Sequence, residues 1–361
     1  MTRTSSAAPT GPPAAAAAWA PSRLHRPLLA LAIVSAVFAV ACIVGLVVDP
    51  REILGQPAWA KPLKFSLSIG LYAVTLAWMI GLATRARRLL SVLGSVVVVA
   101  LILEMVVIVG AVLTNTTSHF NVSSPLATAA WALMAVSIVV VWLATVVVAL
   151  VLFRAPLGDP ARSLAIRAGL VIGLVGMALA FLMTSPTAGQ LSDFRGVSGA
   201  HAVGVTDGGA GLPLLGWSTE GGDLRVPHFL GMHALQALPL VVIGLELLAR
   251  RLGVLRAGRV LFHLVVLATV GMAGVVVIST WQALRGQSIA APDALTLTAG
   301  VGVAAVLVVA AVVVVLRGSL APGAHVHGSP LHDAVVHESP GGPRPEPAAD
   351  AAAQAPAEVA R

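Results

Sequence analysis

The sequence predicts an all-α fold, a polytopic bundle of about eight transmembrane helices. Three observations predict it. Hydrophobic residues make up 58% of the 361-residue chain and charged residues only 10%, whereas a soluble domain carries about 25% charged residues. Eight apolar runs are each long enough to cross a hydrocarbon core of about 30 Å, which takes about 20 residues of helix. The arginines fall in short clusters on alternate connections between those runs.

The runs cover approximately 27–48, 63–83, 89–113, 127–152, 164–184, 227–249, 260–283 and 294–316. Residues 1–26, rich in Ala, Pro, Ser and Thr, read as a disordered cytoplasmic leader. The first run exceeds a signal-peptide core of about 7–15 residues and reads as a retained span. In the fifth, Arg167 lies near the start, where its head can snorkel to the interface. Residues 317–361 are rich in Ala, Pro and Gly and read as a disordered tail. Its histidines, His325, His327, His332 and His337, read as solvated rather than as a metal site.

The connections set the orientation. Those after spans two, four and six carry Arg85, Arg87 and Arg88, then Arg154 and Arg162, then Arg250, Arg251, Arg256 and Arg259. The others carry few basic residues for their length, including Arg51, Lys61, Arg195, Arg225 and Arg285. The rule that cytoplasmic loops are rich in Lys and Arg then predicts both ends inside. The same clustering argues that the net charge of +7 faces a lipid bilayer and no nucleic acid. The expected location is the bacterial cytoplasmic membrane. The single cysteine, Cys42, allows no intramolecular disulfide and reads as a small packed residue.

Ionisable and polar groups are expensive inside lipid and usually line a bundle interior or a water-filled cavity. Glu104 interrupts span three about 14 Å from its outer end at the helical rise. It reads either as a proton or cation site or as a neutral carboxyl hydrogen-bonded between helices. Span six carries His228, His233 and Gln236 on one arc about 140° wide at the helical period, suited to a cavity wall. His233 lies about 10 Å below the outer end, near the depth of Glu104. Pro239 follows and predicts a kink there. The only two lysines, Lys61 and Lys64, sit three positions apart at the mouth of span two beside Trp59. In a chain with 20 arginines, they point either to interfacial anchoring or to an anionic head group or a Lys–Glu104 pair.

Outside the spans, the loop Thr114–Asn121 is dense in hydrogen-bonding groups, including His119 and Asn121, and Asn115 and Asn121 fall in sequons. The long outer loop, 185–226, has ten glycines together with His201, Asp207, Trp217, Asp223 and Arg225. Its Leu212, Leu214, Leu215 and Trp217 have apolar surface to bury, so it reads as a lid over the mouth. Span two opens Lys61-Pro62-Leu63-Lys64-Phe65 and span six Arg225-Val226-Pro227-His228-Phe229. The likeness suggests two halves of the same orientation, as in parallel-repeat transporters. Glu246 and His263 read as interfacial residues near the arginine cluster.

The stretches KPLKF, SHFN and DLRVPHFLGMHALQ resemble those of a group of uncharacterised bacterial multi-pass membrane proteins. The resemblance implies an eight-helix membrane architecture and supplies no activity. No Walker loop, HExxH, CxxCH or GxSxG is present, which argues against soluble-style hydrolase or ATPase chemistry.

Three functional readings follow. The first is an outward-facing polar site of Lys64, Glu104, His233 and Gln236, with Lys61, His119, Asn121, Asp223, Arg225 and His228 around it. Such a site would bind or transport a small solute, ion or proton. The second is a membrane redox protein or enzyme holding haem, copper or a quinone through outer-side histidines. Copper would use His119, His228 and His233, and a bis-histidine haem would need His119 or His201 from a loop. The third is a structural or assembly subunit whose polar residues meet a partner helix.

Overall fold

The computed structural model describes residues 24–320. Helix α1 spans Arg26–Val48, α2 Ala60–Leu82, α3 Arg87–Leu113, α4 Pro125–Phe153 and α5 Pro160–Leu179. The short α6, Ala188–Ser192, lies in the long loop. Then come α7 Arg225–Met232, α8 Ala234–Ala249, α9 Gly258–Leu284 and α10 Ala294–Leu320. Two small antiparallel ribbons pair β1 Glu52–Ile53 with β2 Gln56–Pro57, and β3 Ala202–Val203 with β4 Gly222–Asp223. Seven of the described helices are long and apolar enough to cross a membrane, and the α7–α8 pair, bent by 45°, makes an eighth if it is counted as one span. The chain is thus an all-α, multi-pass membrane bundle.

The helix starts follow local chemistry. Proline opens the first turn of α1, α4 and α5, where its missing N–H costs nothing. His25 Nδ1 caps Leu28 N, Ser124 Oγ caps Ala127 N, and the Asp159 carboxylate caps Ala161 N and Arg162 N. Exposed side chains such as Ile33, Val37 and Val44 on α1 and Val301, Val306 and Val309 on α10 make faces that only lipid can solvate. The main core lies among α1 to α5, built on Leu28, Leu76, Met79, Leu90, Leu152 and Leu170. Within it the Tyr72 hydroxyl meets Thr145 Oγ1 at 2.6 Å, so neither buried group is orphaned.

The two halves pack in the same order. In the first, α1 packs on α2, α2 on α3, α3 on α4, and α1 touches α3. In the second, α5 packs on α7 and α8, these on α9, α9 on α10, and α5 touches α9. The halves differ in span six. The expected kink lies not at Pro239, which sits inside a continuous α8, but between α7 and α8 at His233. Helix α8 begins at Ala234, so the carbonyl that the Pro239 ring crowds, that of Leu235, lies in its first turn. The last helix runs to Leu320, past the expected start of the tail at 317, and Gly318 lets it approach Val260 and Val254. The leader up to residue 23 and the tail from 321, with its four histidines, lie outside the described residues.

Connections alternate between two ends. At the arginine end, Arg162 is nearly buried and makes a forked pair with Glu246, Nε to Oε1 at 2.6 Å and Nη2 to Oε2 at 2.8 Å, tying α5 to α8. Arg256 donates to the carbonyls of Ala249 and Arg250 and so caps the C-terminal end of α8. Removing one partner of this part-buried pair leaves the other charge without that partner, at about 1–3 kcal/mol or more. Arg162→Ala should therefore lower the apparent melting temperature strongly, and the Arg162→Met/Glu246→Met double variant should recover most of it. An Arg162→Ala protein that melts like wild type would show that the pair does not hold these helices.

Candidate polar site at the loop end

At the other end every connection meets its neighbours. Arg51 donates to Val112 O at 3.2 Å, Asn121 bridges to Val197, and Ser288 Oγ donates to Ser218 O at 2.8 Å. The long loop lies across these connections. Gly222 packs so tightly on the backbone of Ala283 that a side chain there would overlap its carbonyl.

Under this layer sits a cluster of ionisable side chains. Helix α2 presents Lys61, α3 presents Glu104, and the 114–124 connection presents His119. Lys61 Nζ lies 3.1 Å from His119 Nδ1, and Ser118 Oγ lies 3.2 Å from the same nitrogen. Lys61 donates to that nitrogen, which places the imidazole proton on Nε2. His119 Nε2 faces Glu104 Oε1 at 3.9 Å. Glu104 is 1% exposed, and its second oxygen, Oε2, has no hydrogen-bond partner among the described residues. The walls are aromatic, with Phe65, Phe120 and Trp131 ring centroids 5.7, 6.0 and 5.4 Å from that of His119.

Two more histidines border the cluster. His201 donates through Nδ1 to Asp207 Oδ2 at 2.6 Å, and its ring lies 6.4 Å from His119 and 4.8 Å from Phe120. Asp207 also accepts the backbone N–H groups of His201 and Ala202. His228, on α7, donates through Nδ1 to Gly176 O at 2.8 Å. Both rings are thereby fixed in one tautomer, with Nε2 left as an acceptor.

Of the expected residues, Lys61, Glu104 and His119 meet directly. Lys64 Nζ instead donates to Leu215 O at 2.9 Å in the long loop. Asp223 is buried, accepts Ser218 N at 2.8 Å and forms a forked pair with Arg225. Asn121 closes its own turn, accepting from the backbone N–H and hydroxyl of Ser123. His233 pairs with Gln236 Oε1 at 3.2 Å and stands edge-on to Phe229, at the bend of span six. The histidine facing Glu104 is thus His119, from a loop, in place of the expected His233. Among the described residues no three His, Cys, Asp or Glu side chains converge where a metal could be held. His119, His228 and His233 are held by Lys61, Gly176 and Gln236 and do not form the expected copper set. His201 and Asp207 join the cluster from a glycine-rich loop, and their six-residue spacing carries no signal until that loop folds.

Burial depresses the His119 imidazole well below its ordinary value, reinforced by Lys61, His201 and His228. Burial also lowers His201, against the pull of Asp207, with Arg225 and Lys61 adding to the lowering. Asp207 is held at about 2, since its bonds to His201 and Ala202 outweigh burial. Both imidazoles are therefore harder to protonate in the folded than in the unfolded chain. A depressed histidine contributes stability that is complete above its unfolded value, about 6.5, and is lost as the pH falls through the folded value. The apparent melting temperature should drop as the pH falls below about 6.5, and His201→Gln should flatten that slope. A melting temperature constant across this range would contradict the assignment. Asp207 plays no part there, because it stays ionised until far lower pH.

Comparison with family models, curated proteins and solved structures gives no match. The fold alone defines the class, a multi-pass α-helical membrane protein.

Proposed function

We propose that the chain is a protein of the bacterial cytoplasmic membrane, with its arginine end inside, and that its outward-facing polar site binds or transports a small solute, ion or proton. The observation that carries this reading is Glu104. A carboxyl group 1% exposed with an oxygen that has no partner is costly wherever nothing comes to meet it. Lys61 and His119 stand on one side of that carboxyl, and the acceptor nitrogens of His201 and His228 belong to the same end of the bundle. Lys64 and the His233–Gln236 pair complete the set of groups that can respond to an incoming molecule. The arginine clusters support the orientation, since cytoplasmic connections are the basic ones.

The test is thermal shift of the full chain in detergent against inorganic ions, small carboxylates and amines. A ligand at a hundredfold its dissociation constant stabilises the folded state by about 2.7 kcal/mol. At least one compound should raise the melting temperature of wild type and lose that effect in Glu104→Ala and His233→Ala. Equal shifts in all three proteins would remove the proposed site.

A further inference from the structure

Two cationic side chains from different helices are committed to neighbouring carbonyls of the long loop. Lys64 Nζ on α2 donates to Leu215 O at 2.9 Å. Arg225 Nη2 on α7 donates to Gly216 O at 2.6 Å, while the same guanidinium holds Asp223. Arg225 keeps one guanidinium nitrogen on the Gly216 carbonyl beside its pair with Asp223, and Lys64 is held here by a carbonyl, so an anionic oxygen in place of either carbonyl would make a charge-assisted bond at both ends. The two side chains come from the equivalent openings of the two halves, Lys61-Pro62-Leu63-Lys64-Phe65 and Arg225-Val226-Pro227-His228-Phe229. Binding sites of repeat-built transporters lie between the repeats.

The loop tip that occupies these donors is strained. Leu214 has φ +62°, a left-handed conformation that L-residues avoid, and its side chain is too exposed for burial to offset it. Leu215 N turns back onto Pro213 O at 2.7 Å in a three-residue turn. Beside the tip, Gln56 Oε1 is buried with no hydrogen-bond partner and lies against Gly216. The closed position therefore combines backbone strain, an orphaned acceptor and a lysine held by a carbonyl.

We propose that Lys64 and Arg225 recognise a small oxyanion, a carboxylate or a phosphate, and that residues 212–217 are a lid tip displaced when it binds. Two oxygens of the anion take the places that Leu215 O and Gly216 O hold in the closed form. This rests on the reading of the loop end as the ligand-binding side, and it names the class of ligand.

Hydrogen–deuterium exchange of the full chain in detergent tests it, with sodium acetate and sodium phosphate as probes and sodium chloride at equal ionic strength as the reference. Acetate or phosphate should raise exchange of residues 211–218 about threefold or more over chloride. Lys64→Gln should need at least about tenfold more anion for the same response. Leu214→Asn, which tolerates the left-handed conformation, should need a few-fold more because the closed tip is relaxed. Exchange of α4 in the same samples reports whether each variant is folded. A lid tip that exchanges alike in all three salts overturns the proposal, as does a wild-type response in folded Lys64→Gln. If Glu104→Ala abolishes solute binding while the tip ignores both oxyanions, only the anion assignment falls. If the tip responds while Glu104→Ala binds solutes like wild type, only the site reading falls.

Discussion

Glu104→Gln is expected to melt at or above the wild-type temperature and to bind its ligand at least about tenfold more weakly, the equivalent of about 1.4 kcal/mol. The two effects have opposite signs for one reason. The carboxyl is buried, its Oε1 lies 3.9 Å from His119 Nε2, beyond hydrogen-bond range, and its Oε2 has no partner. An amide of the same shape is cheaper to bury than a carboxylate. Rotated so that its oxygen faces His119 Nε2–H, it keeps the attraction that the carboxyl offers there. A ligand that meets the carboxyl with an N–H, an O–H or a positive charge loses a charge-assisted bond, typically about 1.5–3 kcal/mol. Melting curves and ligand titration on one preparation separate the two effects. A variant that binds like wild type would remove Glu104 from the site. A variant that fails to fold would make the carboxyl a structural element instead.

Gly176→Ala is expected to destabilise the bundle by about 1–3 kcal/mol or more, through overpacking against backbone. A Cβ at Gly176 would overlap Met232 N and lie 2.5 Å from Gly231 Cα. These atoms are main chain and cannot turn aside, so α5 and α7 must separate. Close approach of helix backbones at small residues is a general means of holding membrane helices together. Here it also carries the site, because Gly176 O accepts the His228 Nδ1–H bond at 2.8 Å. The variant should lose ligand affinity along with stability. Gly244→Ala, where nothing lies within 4 Å of the added methyl, is the control and should be neutral or slightly stabilising. Equal melting temperatures for Gly176→Ala and Gly244→Ala would mean that the helices do not meet as closely as described.

The parts of the fold that were legible in the sequence are those with local causes. A run of about 20 apolar residues must be a helix in lipid, because no other single segment satisfies its own backbone there. The eight runs therefore correspond to α1–α5, the bent α7–α8 pair, α9 and α10, with ends shifted by a few residues where Pro27, Pro125, Pro160 or a cap fixes the first turn. The arginine connections and the singular pair of lysines were readable for the same reason, since each is a feature of composition over a short stretch.

The partners of those residues were not readable. Glu104 was placed at the right end of span three by counting residues, but counting does not say which neighbour stands opposite. His119 reaches it because the 114–124 connection folds back over α3, and Lys61 reaches His119 because α2 packs beside α3. His201 and Asp207 enter only once the long loop lies across the bundle. The bend of span six falls at His233, ahead of Pro239, with Gly231 already pressed against Gly176. The sequence by itself determined an all-α membrane bundle, its spans and the end that carries its polar side chains, since hydropathy and charge act residue by residue along one segment. Tertiary structure alone decided which side chains form the site, since hydrogen bonds and close packing depend on positions that segments distant in the chain take up only when packed together.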